Sequence, residues 1–182
     1  LKIPIYLDSI GTVLVAVLAG PVAGISAGVV AAIIGGVFLN PFLPWYIPVV
    51  MAIGGLAGFL ARKGFFRSLP KVILGGLIQA IVAAMVAAPI TTYLFGGITL
   101  SGSSFFVAYL RATGETLYKS VLLTGLAAEP VDKTLTYLLA YLIELRIPRK
   151  LLFRFSGAKF LVADQAPPPY DERQHERVSP RS

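Results

Sequence analysis

Residues 9–40 read SIGTVLVAVLAGPVAGISAGVVAAIIGGVFLN, and no charged side chain interrupts them. A bilayer-spanning helix needs about 20 predominantly apolar residues, so this stretch is long enough to cross at least once. Gly20-Pro21 divides it. Proline lacks the N–H a helix ladder needs and pushes the residue before it out of helical conformation. Two readings follow: one kinked helix over 9–39, or two closely joined spans, a short one at 9–20 and a second at 21–39. Working outward, the only charged residues between Ser9 and Leu110 are Arg62, Lys63, Arg67 and Lys71, which leaves uncharged tracts at 9–61 and 72–110. Of the 182 residues, 56% are hydrophobic and 14% are charged, whereas a soluble domain carries about 25% charge. The pattern predicts an all-α, polytopic membrane helix bundle.

Further along the chain, Asn40-Pro41-Phe42-Leu43-Pro44 reads as a turn, and Trp45-Tyr46 as an interfacial aromatic anchor. A span over 46–61 leads to the basic loop 62–71, and a long span over 72–95 ends at Gly96-Gly97. Residues 98–128 mix polar and apolar groups and predict an amphipathic or partly embedded helix plus loop. The last span is expected from near Pro130 to about Ile147. That makes five visible spans in a bundle over 1–160. The charged, Pro-rich stretch 161–182 is expected to be a disordered cytoplasmic tail. Its Pro167-Pro168-Pro169-Tyr170 is a WW-type ligand pattern, but solvated tail is the simpler reading.

The net charge is +7, from 16 Lys+Arg against 9 Asp+Glu. Nine of the basic residues lie in 62–71 and 146–159, just beyond apolar segments, where cytoplasmic anchoring explains them better than nucleic acid does. These loops predict a multi-pass protein of the cell membrane with its C-terminus in the cytoplasm. On that orientation 40–45 and Leu1–Asp8 face outward, and one more helix is expected before Leu1. Cysteine is absent and the single His175 lies in the polar tail, so thiolate metal sites, disulfides and Ser-His triads are excluded. No Gly-x-Ser-x-Gly, His-Glu-x-x-His or Walker A pattern occurs. The chain is therefore expected not to be an enzyme and to carry no cofactor. An ATP-driven function would need partner subunits that hydrolyse ATP.

Small residues recur every four positions at Ala16, Gly20, Gly24, Gly28, Ala32 and Gly36, with a second row at Ala23, Ala27, Ala31 and Gly35 and a third at Ala80, Ala84 and Ala88. Such rows let helices approach closely in lipid, where packing replaces the hydrophobic effect. They serve either the bundle's own packing or a partner subunit. Polar groups beside the spans are few, and intramembrane polar groups usually face a cavity or partner. The candidates for a substrate site are Asp8, Asn40, Trp45, Tyr46, Gln79, Tyr93, Arg111, Glu115, Asp132 and Lys133. On the orientation above, all but Gln79 fall on the external side, as expected of a small-molecule site at one face. Plainer roles compete: Glu115–Lys119 and Glu129–Lys133 have the spacing of helix-surface ion pairs, Gln79 can bond to a neighbouring helix, and the two aromatics can be belt residues.

Two segments resemble a known family. Ile3-Pro4-Ile5-Tyr6-Leu7-Asp8-Ser9-Ile10-Gly11-Thr12, leading into Leu18-Ala19-Gly20-Pro21-Val22-Ala23-Gly24, is similar to the start of the second helix in substrate-binding S components of energy-coupling factor transporters. Glu129-Pro130-Val131-Asp132-Lys133-Thr134 resembles the region near their sixth helix. The resemblance covers about 1–147 and implies six helices, of which the first is absent here. It implies a membrane-embedded subunit that binds a vitamin, vitamin precursor or metal ion from outside. A transmembrane coupling subunit and two ATPase subunits would supply the energy. Metal-ion members use N-terminal histidines, which this sequence lacks, so a small organic micronutrient is expected. Trp45 and Tyr46 would stack on a ring, with Asp8, Asn40 and Arg111 fixing polar edges. The rival reading is a ligand-sensing transmembrane module of a signalling protein, which would continue into a kinase or cyclase domain.

Overall fold

A computed structural model describes residues 9–98 and 103–148, together with Leu152, Phe155, Gly157 and Leu161. Within these residues the regular structure is helical: α1 (Ile10–Ala19), α2 (Pro21–Phe38), α3 (Ile47–Arg62), α4 (Leu69–Phe95), α5 (Ser103–Ala112) and α6 (Leu117–Arg146). Short 3-10 turns at Leu43–Tyr46 and Phe65–Arg67 precede α3 and α4. Asp8 and nearly all of the tail lie outside the described residues.

The two-helix reading of 9–39 holds. Gly20 adopts φ 98 between α1 and α2, a backbone open to glycine but strained for other residues, and Pro21 opens α2. Pro48 and Pro70 likewise sit in the first turns of α3 and α4, where a missing N–H costs no helical bond. At its far end α4 stops at Gly96, whose left-handed backbone closes the helix.

The rows of small residues set the packing. A β-carbon on Gly28 would meet Thr12 of α1 and Val50 of α3, and one on Gly24 would meet Ala16 and Gly54. These pairings make α1, α2 and α3 an antiparallel set in van der Waals contact through their backbones. On the other side, Gly76 faces Thr134 and Gly125 faces Ala84, which makes α4 and α6 antiparallel neighbours. The first and third rows are thus spent inside the bundle, and Ala80, Ala84 and Ala88 are all buried. Of the second row, Ala31 is exposed and Ala23 and Ala27 are half-buried. The core between the two sets is apolar, built on Val13, Val17, Ile53, Leu60, Phe66, Val72 and Ala140 around the buried ring of Tyr137.

Three segments are long and apolar enough to cross a membrane: Pro21–Phe38, Leu43–Arg62 and Leu69–Phe95. Their outward sides carry exposed Val30, Val37, Phe38, Phe59, Leu77, Ile81 and Met85. The expectation for 98–147 needs correction. An amphipathic helix does occur, as α5, but the last helix begins at Leu117 rather than near Pro130 and runs for 30 residues with Pro130 inside it. Thr116 caps its start by accepting a hydrogen bond from the Lys119 N–H. The helix continues through the proline because the residues on both sides bury one common stripe, from Ser120 and Thr124 to Thr136 and Tyr137. Tertiary packing outweighs the bond that Pro130 removes.

Candidate functional site

The bundle has a basic end and an opposite rim. Arg62, Arg67 and Arg146 mark the basic end, and Arg62 lies against Gly20. The turn before α3, the end of α4 and the start of α6 form the rim. At 1.5 Å per residue, the 27 residues of α4 span about 40 Å, whereas the ten of α1 rise only about 15 Å from the basic end. Ser9, immediately before α1, therefore lies near mid-height.

At that height sits a buried group of charged side chains, while Glu144, also buried, lies near the basic end of the same helix. Lys133 is 4% and Asp132 1% exposed. The Lys133 ammonium donates to Asp132 Oδ2 at 2.7 Å and to Ser9 Oγ at 3.4 Å, and Glu129 Oε2 lies 3.4 Å away. One turn further along α6, the buried Tyr137 hydroxyl donates to Gln79 Oε1 of α4 at 2.9 Å. The Gln79 amide nitrogen and the hydroxyl of Thr136, both on fully buried side chains, have no hydrogen-bond partner among the described residues. Burying a polar atom unpaired costs about 1–3 kcal/mol, and burying a charged pair costs more. In an apolar bundle such groups are retained for what they contact.

The rim is aromatic. The rings of Tyr46 and Phe95 stack in parallel with centroids 5.7 Å apart, Phe42 meets Phe95 edge-on at 5.0 Å, and the hydroxyls of Tyr46 and Thr91 lie 2.9 Å apart. Trp45 and Tyr93 are exposed beside this cluster, Tyr93 at 78%. Asn40 is a turn residue, its Oδ1 accepting the Phe42 N–H at 3.0 Å. Arg111 is exposed at the end of α5. Glu115 forms an ion pair with Lys119 at 2.8 Å on the surface.

The candidate residues therefore do not gather at one face. Asn40, Trp45, Tyr46 and Tyr93 occupy the rim, with Arg111 in the last turn of α5 and Glu115 on the α5–α6 connection nearby. Asp132 and Lys133 instead lie about 20 Å up from Arg146, at mid-height and near the level of Gln79. Their depth follows from α6 starting at Leu117, which places them in the middle of a long helix rather than at the mouth of a short one. Ser9, Thr136 and Tyr137 join the interior group although none was among the candidates. The spacing Glu129, Asp132, Lys133, Thr136, Tyr137, Ala140 is a helical stripe of period three to four, the signal that would have marked Thr136 and Tyr137. Ser9 carries no such signal, since its contact with Lys133 spans 124 residues. No group of three or more metal-ligating side chains occurs among the described residues.

Searches against family models, curated proteins and solved structures find no match to this chain.

Proposed function

We propose that this chain is the membrane-embedded substrate-binding subunit of an energy-coupling-factor-type uptake transporter, taking a small organic micronutrient such as a vitamin or vitamin precursor. The observation that carries this reading is the ionic and polar group Ser9–Glu129–Asp132–Lys133 at mid-height of a predominantly apolar bundle. Charges at such depth are expensive in lipid and characteristically mark a solute path or binding site. The aromatic rim above it supplies stacking surfaces of the kind that small-molecule sites use.

In this reading α1, α2, α3, α4 and α6 are five membrane segments, the basic end faces the cytoplasm, and the solute enters at the rim. The chain itself performs no bond chemistry. A transmembrane coupling subunit and two ATPase subunits couple ATP hydrolysis to release of the solute. The resemblance of 3–24 and 129–134 to energy-coupling-factor S components supports the assignment beside the buried cluster.

Purified protein in lipid nanodiscs would be titrated calorimetrically against vitamins and vitamin precursors. A tight ligand is expected, with binding weakened by Lys133→Met and by the double substitution Trp45→Ala, Asp8→Asn. Binding that survives both unchanged would remove these residues from the site. Affinity purification from native membranes is expected to recover two ATP-binding proteins and one further membrane subunit. Recovery of the chain alone, or fused to a kinase or cyclase, would reject the transport reading.

A further inference from the structure

The backbone-to-backbone contacts are not spread evenly through the bundle. Added β-carbons on Gly24, Gly54 and Gly58 would strike backbone atoms of α1, α2 or the Gly20-Pro21 junction, all within the set α1–α3. One on Gly76 would strike the backbone of Thr134, within the set α4–α6. Helices that meet through their backbones leave no side chains to re-pack, so each set behaves as a rigid unit.

Between the two sets the contacts differ from end to end. At the basic end the short connection through Phe65–Arg67 joins α3 to α4 covalently, so the two sets are tethered there. Leu18 and Leu152 bury one another there, and Phe66 wedges against Tyr137 with ring centroids 5.2 Å apart. At the rim the contacts between the halves are side-chain ones: the Tyr46–Phe95 stack, the Phe42–Phe95 edge contact and the Tyr46–Thr91 hydroxyl pair. Phe95 takes part in both ring contacts. Below this clamp, the seam is bridged by Lys133 reaching Ser9.

We propose that the bundle opens along this seam as two rigid halves hinged at the basic end, with Phe95, Tyr46 and Phe42 as a clamp that controls access to the Ser9–Lys133 group. Side-chain contacts re-form readily when they part, whereas the covalent α3–α4 connection holds the halves together at the basic end. The asymmetry makes the rim the end that moves. The inference concerns motion and does not depend on which solute, if any, the buried group binds.

The chain contains no cysteine, so introduced thiols are unique labels. Spin labels on the exposed rim pair Leu39→Cys and Leu94→Cys, and separately on the exposed basic-end pair Phe59→Cys and Leu145→Cys, would report the two ends by pulsed electron resonance in nanodiscs. In the background Phe95→Ala the rim distance is expected to lengthen and broaden while the basic-end distance stays constant. In parallel, the thiol of the near-isosteric Ser9→Cys is expected to react with a charged alkylating reagent about tenfold faster once Phe95→Ala removes both ring contacts. Tyr46→Phe keeps the stack and the fold but removes the hydroxyl pair, and a smaller acceleration is expected. A rim distance and thiol rate unchanged by either substitution, or equal lengthening at both ends, would overturn the proposal.

Discussion

The adjacent glycines Gly54 and Gly55 provide a matched test of how the bundle is held together. A β-carbon added at Gly54 would lie 2.5 Å from the carbonyl carbon of Gly24, 2.6 Å from its oxygen and 2.7 Å from the nitrogen of Ile25. Carbon contacts relax at about 3.5 Å, so Gly54→Ala requires α2 and α3 to separate by about 1 Å. The atoms in the way are all backbone, and no rotamer can relieve them. Separation also loosens the neighbouring contacts of Gly24, Gly28 and Gly58. The cost is expected at the upper end of overpacking penalties, about 3 kcal/mol. At Gly55 the added β-carbon meets only the Ile25 side chain, at 3.4 and 3.6 Å. Gly55→Ala therefore adds an ordinary contact and removes a helix-weakening glycine, a gain of up to about 1 kcal/mol. Thermal melts followed by circular dichroism in one detergent would compare the two. For a chain of this size Gly54→Ala is expected to lower Tm by about 6–12 °C, with Gly55→Ala neutral or slightly stabilising. Equal losses at both positions would refute the assignment of the Gly24–Gly54 approach as the α2–α3 contact.

Three further outcomes follow from the interior and the surface. Lys133→Met leaves the buried Asp132 carboxylate without its 2.7 Å ammonium partner and is expected to cost about 3–5 kcal/mol. Adding Asp132→Leu should restore a large part of the lost Tm, and a double variant no more stable than Lys133→Met would contradict the pairing. Gln79→Leu strands the Tyr137 hydroxyl and is expected to cost about 1–3 kcal/mol. Combining it with Tyr137→Phe should bring stability back towards the parent, which the same melts would read. By contrast, Lys119→Ala breaks only the surface pair with Glu115 and is expected to change stability by no more than about 0.5 kcal/mol.

The helical class, the break at Gly20-Pro21 and the basic clusters at the ends of the apolar segments were all legible from local chemistry. Each depends on a property of a short stretch: missing N–H groups, clustered arginines and lysines, or unbroken apolar runs. The candidate site was legible in composition but not in arrangement. Asp132 and Lys133 were recognised as exceptional polar residues, yet their depth was misjudged because Pro130 suggested a helix start. The pairs Ser9–Lys133 and Gln79–Tyr137 join residues 124 and 58 positions apart, and no local pattern encodes such partners.

The sequence by itself determined that this chain is helical and that the basic clusters of 62–71 and Arg146 fall at helix ends, because hydropathy and backbone restriction act residue by residue. It also supplied three rows of small side chains without distinguishing them. Only the tertiary structure decided that the rows containing Gly24 and Ala84 are consumed in helix contacts while Ala31 stays exposed. It also carried α6 through Pro130, since the burial of a continuous stripe on both sides outweighs one lost hydrogen bond. That continuity is what sets Asp132 and Lys133 in the middle of the bundle, where a charge is costly and its partners must come from distant parts of the chain.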